Sequence, residues 1–106
     1  MMQKIVVENR VDAEGNPAGG IVTAKGIEIE WQSEPLGRGT NRKEPNGAFV
    51  EGVLQAALQR LYFYQEGKFK CRENAIAITK IEEALMWCNK RTQDREVREV
   101  EGTHKE

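Results

Sequence analysis

No apolar run in this 106-residue chain approaches the roughly 20 residues of a membrane-spanning helix. The opening MMQKIVVENR has none of the long apolar centre of a secretory signal, so a cytoplasmic location in the cell that makes the chain is expected. Net charge is almost absent too: sixteen Lys and Arg against seventeen Asp and Glu leave a formal charge of -1. That balance argues against a general nucleic-acid coat and against a membrane-surface protein, and it makes any anion site local. There are two cysteines, Cys71 and Cys88, with neither metal-ligand spacing nor a disulfide framework around them. Both are expected to be reduced, half-buried thiols. The single histidine, His104, stands near the end of a charged segment, and no nucleophile elbow, metal cluster or acid pair accompanies it. Catalysis is harder to find than binding, so an enzyme is not expected, nor is a cofactor or a metal.

What is present reads as an α+β chain. A lone domain of this length buries a modest core, and association would help it. KIVVENRV is β-branched and predicts a strand; AEGNPAGG reads as a loop from its glycine, asparagine and proline. IVTA and IEIEW then predict two strands separated by Lys25-Gly26, which fits a tight turn or a bulge. In IEIEW, alternation sets Ile27, Ile29 and Trp31 on one face and Glu28, Glu30 and Gln32 on the other. Asn46 as a cap, or Pro45 in the first turn, would open a helix with apolar positions at Val50, Val53 or Leu54, Ala57, Leu61 and Tyr64, ended by Gly67. A second helix opens near Arg72 to Asn74, carries Ile78, Ile81, Leu85 and Cys88 at steps of three and four, and ends near Arg91. The short EGKFKC connection forces an antiparallel hairpin. The expected layout is one domain: a sheet part over 1–34, a Gly/Arg loop over 35–46, the helical hairpin over 47–95 and a fraying charged tail over 96–106.

Three features carry binding chemistry, each with a plainer structural reading. In PLGRGTNRKEPNG, Arg38, Arg42 and Lys43 precede a helix N-terminus, where backbone N–H groups favour an anion such as phosphate. The plainer reading is a solubilising loop whose arginines pair with Glu34 and Glu44. It is not a P-loop, since no lysine and hydroxyl follow the last glycine. Asn74 sits on the apolar seam, either as a helix cap or as an amide that reads a base or ribose edge. Tyr64, at the end of the first helix, falls across the hairpin from Asn74. It packs the hairpin tip or stacks on a flat heterocycle, with Tyr62 and Phe63 as competitors. Finally, Lys90, Arg91, Arg95 and Arg98 form a cationic stripe that serves a ligand or is a solvated helix end.

ENRVDAEGNPAGG, GIEIEWQ, PLGRG with RKEPNGAFVE, ENAIAITKIEEALMWCNKRT and VEGTH together resemble the phage anti-Thoeris sponges of the first type. Those proteins sequester the cyclic ADP-ribose isomers made by TIR-domain defence enzymes. AIAITKIEEALMW is also similar to the hairpin of phage proteins that sequester cyclic dinucleotides of the CBASS defence. The resemblance implies a small N-terminal antiparallel β-sheet packed on an antiparallel two-helix hairpin, assembled as a homo-oligomer, dimer or hexamer. It implies binding without cleavage, at a site between subunits formed by Arg10, Tyr64, Asn74, Arg91 and Arg95; some relatives are expected to carry phenylalanine at the aromatic position. It also implies a second site for cyclic di- or trinucleotides near the threefold centre of the hexamer, for which Arg38 and Arg42 are the candidates. Neither a membrane nor a stable nucleic-acid partner is implied. Two other classes stay open from the residues: a phage nucleic-acid accessory protein using GRGTNRK on a backbone, and an enzyme that degrades the signal.

Overall fold

In a computed structural model describing residues 2–106, the valine-rich segment Val6–Val11 forms β1, Pro17–Ala24 forms β2 and Ile27–Trp31 forms β3. They pair antiparallel in the order β1-β2-β3. Two helices follow, α1 (Val50–Gln65) and α2 (Arg72–Val97), which contact each other as a hairpin, so the α+β class holds. The residues gather into two units: the sheet part through Phe49 together with Val100–Glu106, and the hairpin Val50–Glu99.

Within the sheet, Val7, Val22 and Ile29 form one cross-strand row, and Asn9, Gly20 and Trp31 the next. Such rows are the unit of sheet stabilisation. Gly20 is buried, and a Cβ there would run into the Glu8 carbonyl, so only glycine lets β1 and β2 approach here. The alternation expected in IEIEW is visible: Ile29 and Trp31 are half-buried and Glu28 and Glu30 exposed, with Ile27 only just exposed at the strand end.

The AEGNPAGG segment departs from expectation, because Pro17–Gly20 belong to β2. The turn is confined to residues 12–16, where Asp12 Oδ1 accepts from the backbone N–H groups of Glu14 and Asn16, both at 2.9 Å. The Asn16 N–H above all holds the Asp12 carboxyl below its ordinary value. Glycine and proline signalled a loop, but the pair Ala18-Gly19, with Gly19 at φ 84, is a bulge on β2 opposite Arg10. Lys25-Gly26 is a two-residue turn between the paired Ala24 and Ile27, with Gly26 at φ 79.

The expected helix start at Asn46 is also displaced. Asn46 Oδ1 accepts from Ser33 N–H at 3.1 Å, and its N–H donates to Gln32 Oε1 at 2.8 Å. Ala48 then bridges Trp31 along the outer edge of β3, its N–H donating to Glu30 O at 2.7 Å. With residues 46–48 held extended against the sheet, α1 cannot open before Val50.

In the hairpin, Leu54, Leu58, Leu61 and Gln65 follow the inner face of α1, and Leu58, 6% exposed, is the one buried apolar side chain among its described residues. Ala57, expected inward, is exposed; the larger Leu58 takes the seam one residue later. On α2 the expected Ile78, Ile81, Leu85 and Cys88 are all half-buried. That helix runs on to Val97, past the expected end at Arg91, through good helix formers and a Lys90–Asp94 ion pair at 3.4 Å. Nor does the tail fray. Glu99, at φ 61, turns the chain, and Gly37 N–H then donates to Gly102 O at 2.8 Å.

Candidate functional site

The first turn of α2 explains where Asn74 goes. Its N-cap is Cys71, whose Sγ accepts from Asn74 N–H at 3.4 Å, so Asn74 is the third helical residue and not the cap. Capping leaves Cys71 exposed, where a half-buried thiol was expected; Cys88 is half-buried, and both are free. The Asn74 side chain is half-buried and donates Nδ2 to Phe69 O at 3.3 Å, bracing the connection between the helices.

Around Tyr64 the structure adds a residue that sequence reasoning missed. The Arg60 guanidinium lies 5.2 Å from the ring centroids of both Phe63 and Tyr64, and its Nε donates to the Tyr64 hydroxyl at 3.2 Å. The two rings are 6.1 Å apart and tilted by 51°. A cation over two rings makes a platform that can stack on a base while turning positive charge toward a phosphate. The signal was available, since Arg60 stands three and four residues before the rings on one helix. Tyr62, the other competitor for the aromatic role, donates its hydroxyl to Glu82 Oε2 at 2.6 Å. That bond stabilises the protonated phenol and raises its pKa above the ordinary tyrosine value. Tyr62 is therefore a tie between helices, which leaves Tyr64 and the exposed Phe63 as the candidates for the aromatic role.

Arg91 and Arg95 stand at the other end of α2. They follow Asn74 by seventeen and twenty-one residues, about 25 and 30 Å at helical rise. Arg95 is half-buried, continuing the seam of Ile81, Leu85, Cys88 and Thr92, while Arg91 is exposed. One chain thus brings Tyr64, Arg60 and Asn74 toward one end of the hairpin and the two arginines to the opposite end. Between them runs a groove of about 500 Å³ whose lining includes Glu51, Gln55, Glu82, Leu85 and Asn89. Its two carboxylates suit an anion poorly, and none of the expected ligand residues lines it.

The sheet unit holds the remaining candidates. Arg10, opposite the bulge, pairs with Glu8 Oε2 through Nη2 at 2.9 Å. Arg38 and Arg42 do not lead directly into α1, which opens eight residues after Arg42; they flank a short 3-10 turn, Gly39–Asn41. Glu101 gathers both. Arg42 makes a bidentate pair with its carboxylate at 2.8 and 2.9 Å, and Arg38 Nη1 donates to its backbone carbonyl at 3.0 Å. Lys43 pairs with Glu34 at 3.3 Å, where the solubilising reading of the loop gives that glutamate to an arginine, and Arg42 takes Glu101 in place of Glu44. Two guanidinium groups thus meet at one glutamate, Arg42 on its carboxylate and Arg38 on its backbone carbonyl.

Among the described residues no group of three or more His, Cys, Asp or Glu is placed to hold a metal ion, and no helix is long and apolar enough to cross a membrane. Residues 26–93 match the Acb2/Tad1 hairpin domain, which takes in β3, the loop, α1 and most of α2. Over 59 residues the chain is 58% identical to a protein of Bacillus phage SBSphiJ7 named "Thoeris anti-defense 1". That stretch is 56% of this chain and 42% of the phage protein, so the chain matches less than half of its relative's length. With the matched region covering well over half of its residues, including the hairpin that carries Tyr64 and Asn74, the chain belongs to the Acb2/Tad1 hairpin-domain family.

Proposed function

We propose that this protein is an anti-defence sponge that binds cyclic ADP-ribose isomers of the TIR/Thoeris type and holds them without cleaving them. The observation that carries this reading is the hairpin match over residues 26–93, joined to 58% identity with a phage protein whose name states an anti-Thoeris role. The chemistry at hand suits the ligand. Such a signal offers an adenine, two riboses and a pyrophosphate; the Arg60–Phe63–Tyr64 platform and Asn74 provide stacking and an amide, and Arg91 and Arg95 provide charge.

Because those two groups are about 25–30 Å apart on one chain, the site is built from two copies, the Asn74 end of one α2 lying beside the Arg91 end of its partner. A homo-oligomer, dimer or hexamer, also accounts for the exposed Phe63, Phe69, Met86 and Trp87 on a hairpin whose described residues bury only Leu58. Arg38 and Arg42 form the second site, taking cyclic di- or trinucleotides of the CBASS type in place of the Glu101 carboxylate. The protein works in the cytoplasm of the infected bacterium, where capture alone lowers free signal below the effector's threshold.

The test is to incubate the protein with signal, remove unbound ligand, boil, and assay the released molecule on the effector. Release of intact, active signal is expected. A chemically altered product would instead make the protein an enzyme, and no captured signal would overturn the sponge reading.

A further inference from the structure

The two edges of the sheet are treated differently. Along β3 the outer edge is closed by Ala48, which takes Gln32 N–H and donates to Glu30 O. β1 is the other edge strand, and all six of its residues are exposed, Val6 by 60%, Val7 by 55% and Val11 by 68%. A long exposed edge with apolar side chains is a template for pairing with another strand.

The sequence of that edge is complementary to itself. Reversed about Asn9, Val7-Glu8-Asn9-Arg10-Val11 sets Val7 against Val11 and Glu8 against Arg10, twice each. We propose that β1 pairs antiparallel with β1 of a second copy about a twofold axis at Asn9, joining two three-stranded sheets into one of six.

Backbone direction agrees with that register. The Glu8 carbonyl is turned to β2, where it would meet a Cβ on Gly20. By alternation the N–H and C=O of Asn9 face the open edge, so the two Asn9 residues form a reciprocally hydrogen-bonded pair on the axis. The side chains also sort by face. Glu8 and Arg10, already in contact at 2.9 Å within one strand, each gain an opposite charge from the partner. Val7 lies in the row with Val22 and Ile29, and Val11 of the second copy extends that row. Charges usually guard an edge by repelling any newcomer. Here they have both signs at a spacing that selects a second copy in one register.

The inference uses a second copy, as the sponge reading does, and of the residues that the resemblance gives to the ligand it shares Arg10 alone; its test reads register and not capture. With cysteine at position 9, the two Cα atoms would stand about 5.5 Å apart, within disulfide reach. Mild oxidation of Asn9→Cys should give a dimer disulfide-linked through position 9 of both copies, identified by peptide mass spectrometry against the native Cys71 and Cys88. Glu8→Cys alone should not link to itself, whereas a mixture of Glu8→Cys with Arg10→Cys should link. Glu8→Arg added to Asn9→Cys sets arginine against arginine and should slow linkage about tenfold. Mixing Glu8→Arg with Arg10→Glu, both carrying Asn9→Cys, should restore it as the mixed product, which a contact confined to one strand could not do. Absence of the link through position 9 in folded protein, self-linkage of Glu8→Cys as fast as the mixture, or no recovery on mixing the charge variants would each overturn the pairing. Failure of ligand capture in protein that links normally would count against the sponge reading and leave this one standing.

Discussion

Tyr62 of α1 and Glu82 of α2 are joined by a hydrogen bond of 2.6 Å, a direct polar tie between the two helices of the hairpin. The bond requires the phenol to keep its proton, so the folded pKa is raised above 10.0. An acid whose pKa rises on folding contributes stability that is fully present below its unfolded pKa and is lost as pH passes through the folded value. Wild-type stability should therefore decline above pH 10 more steeply than that of Tyr62→Phe. Denaturant melts across that range, with ultraviolet detection of tyrosinate, measure both halves of the statement. Equal alkaline slopes would mean that the bond adds nothing to the hairpin.

The proposed sharing of one site between two copies makes a complementation prediction. Asn74→Ala lacks the amide, and the Arg91→Ala, Arg95→Ala double variant lacks the charge; the double variant should bind a cyclic ADP-ribose isomer at least one to two decades more weakly, from about 1.5–3 kcal/mol per charge-assisted bond, and Asn74→Ala up to about one decade more weakly, from about 0.5–1.5 kcal/mol for a neutral one. Refolded together, they should recover tight sites in mixed assemblies, about one-quarter of wild-type capacity if a dimer carries two sites and subunits pair at random. Calorimetry reads both affinity and stoichiometry. Zero recovery would place both groups within one chain's site, against the helix length that separates them.

The second site proposed at Arg38 and Arg42 should be separable from the first. Arg38→Ala with Arg42→Ala should remove cyclic trinucleotide binding and leave cyclic ADP-ribose isomers bound, and the Arg91, Arg95 pair should do the reverse. Glu101→Gln frees Arg42 from a partly exposed ion pair of about 0–1 kcal/mol, so trinucleotide affinity should rise by up to about fivefold. Weaker binding would show that Glu101 positions the arginines and is not displaced.

Helical spacing carried the hairpin well: the seam of α2 from Ile78 to Cys88 and the shortness of residues 66–71 were legible because period and loop length leave few solutions. What escaped was long-range. Asn46 reads as a cap in any local view, and only the distant Gln32 and Ser33 claim its amide. The residues from Val100 onward read as fraying because nothing nearby in sequence shows that Glu101 will meet Arg42. For the candidate site, the residue types were visible one by one. Their separation along α2 became an argument only once the helix was known to run unbroken from Arg72 to Val97.

Gly20 is the position where one added methyl group should do most damage to the sheet. Its φ of 153 is rare for a side-chain-bearing residue, and a Cβ would press on the Glu8 carbonyl, with Asn9 Cα at 3.1 Å. Neither neighbour is a flexible side-chain end that could swing aside; both are backbone of the paired strand. Relief requires β1 to move off β2, losing the Asn9–Gly20 pair and with it the row that continues to Trp31. Gly20→Ala should therefore destabilise the sheet unit by about 2–3 kcal/mol, a large effect for one methyl group. The hairpin has its own seam about Leu58 and should keep its helical signal. Amide exchange resolved by segment separates the two: protection should fall in β1 and β2 and persist in α1 and α2. Uniform loss of protection across both units would mean that they unfold as one.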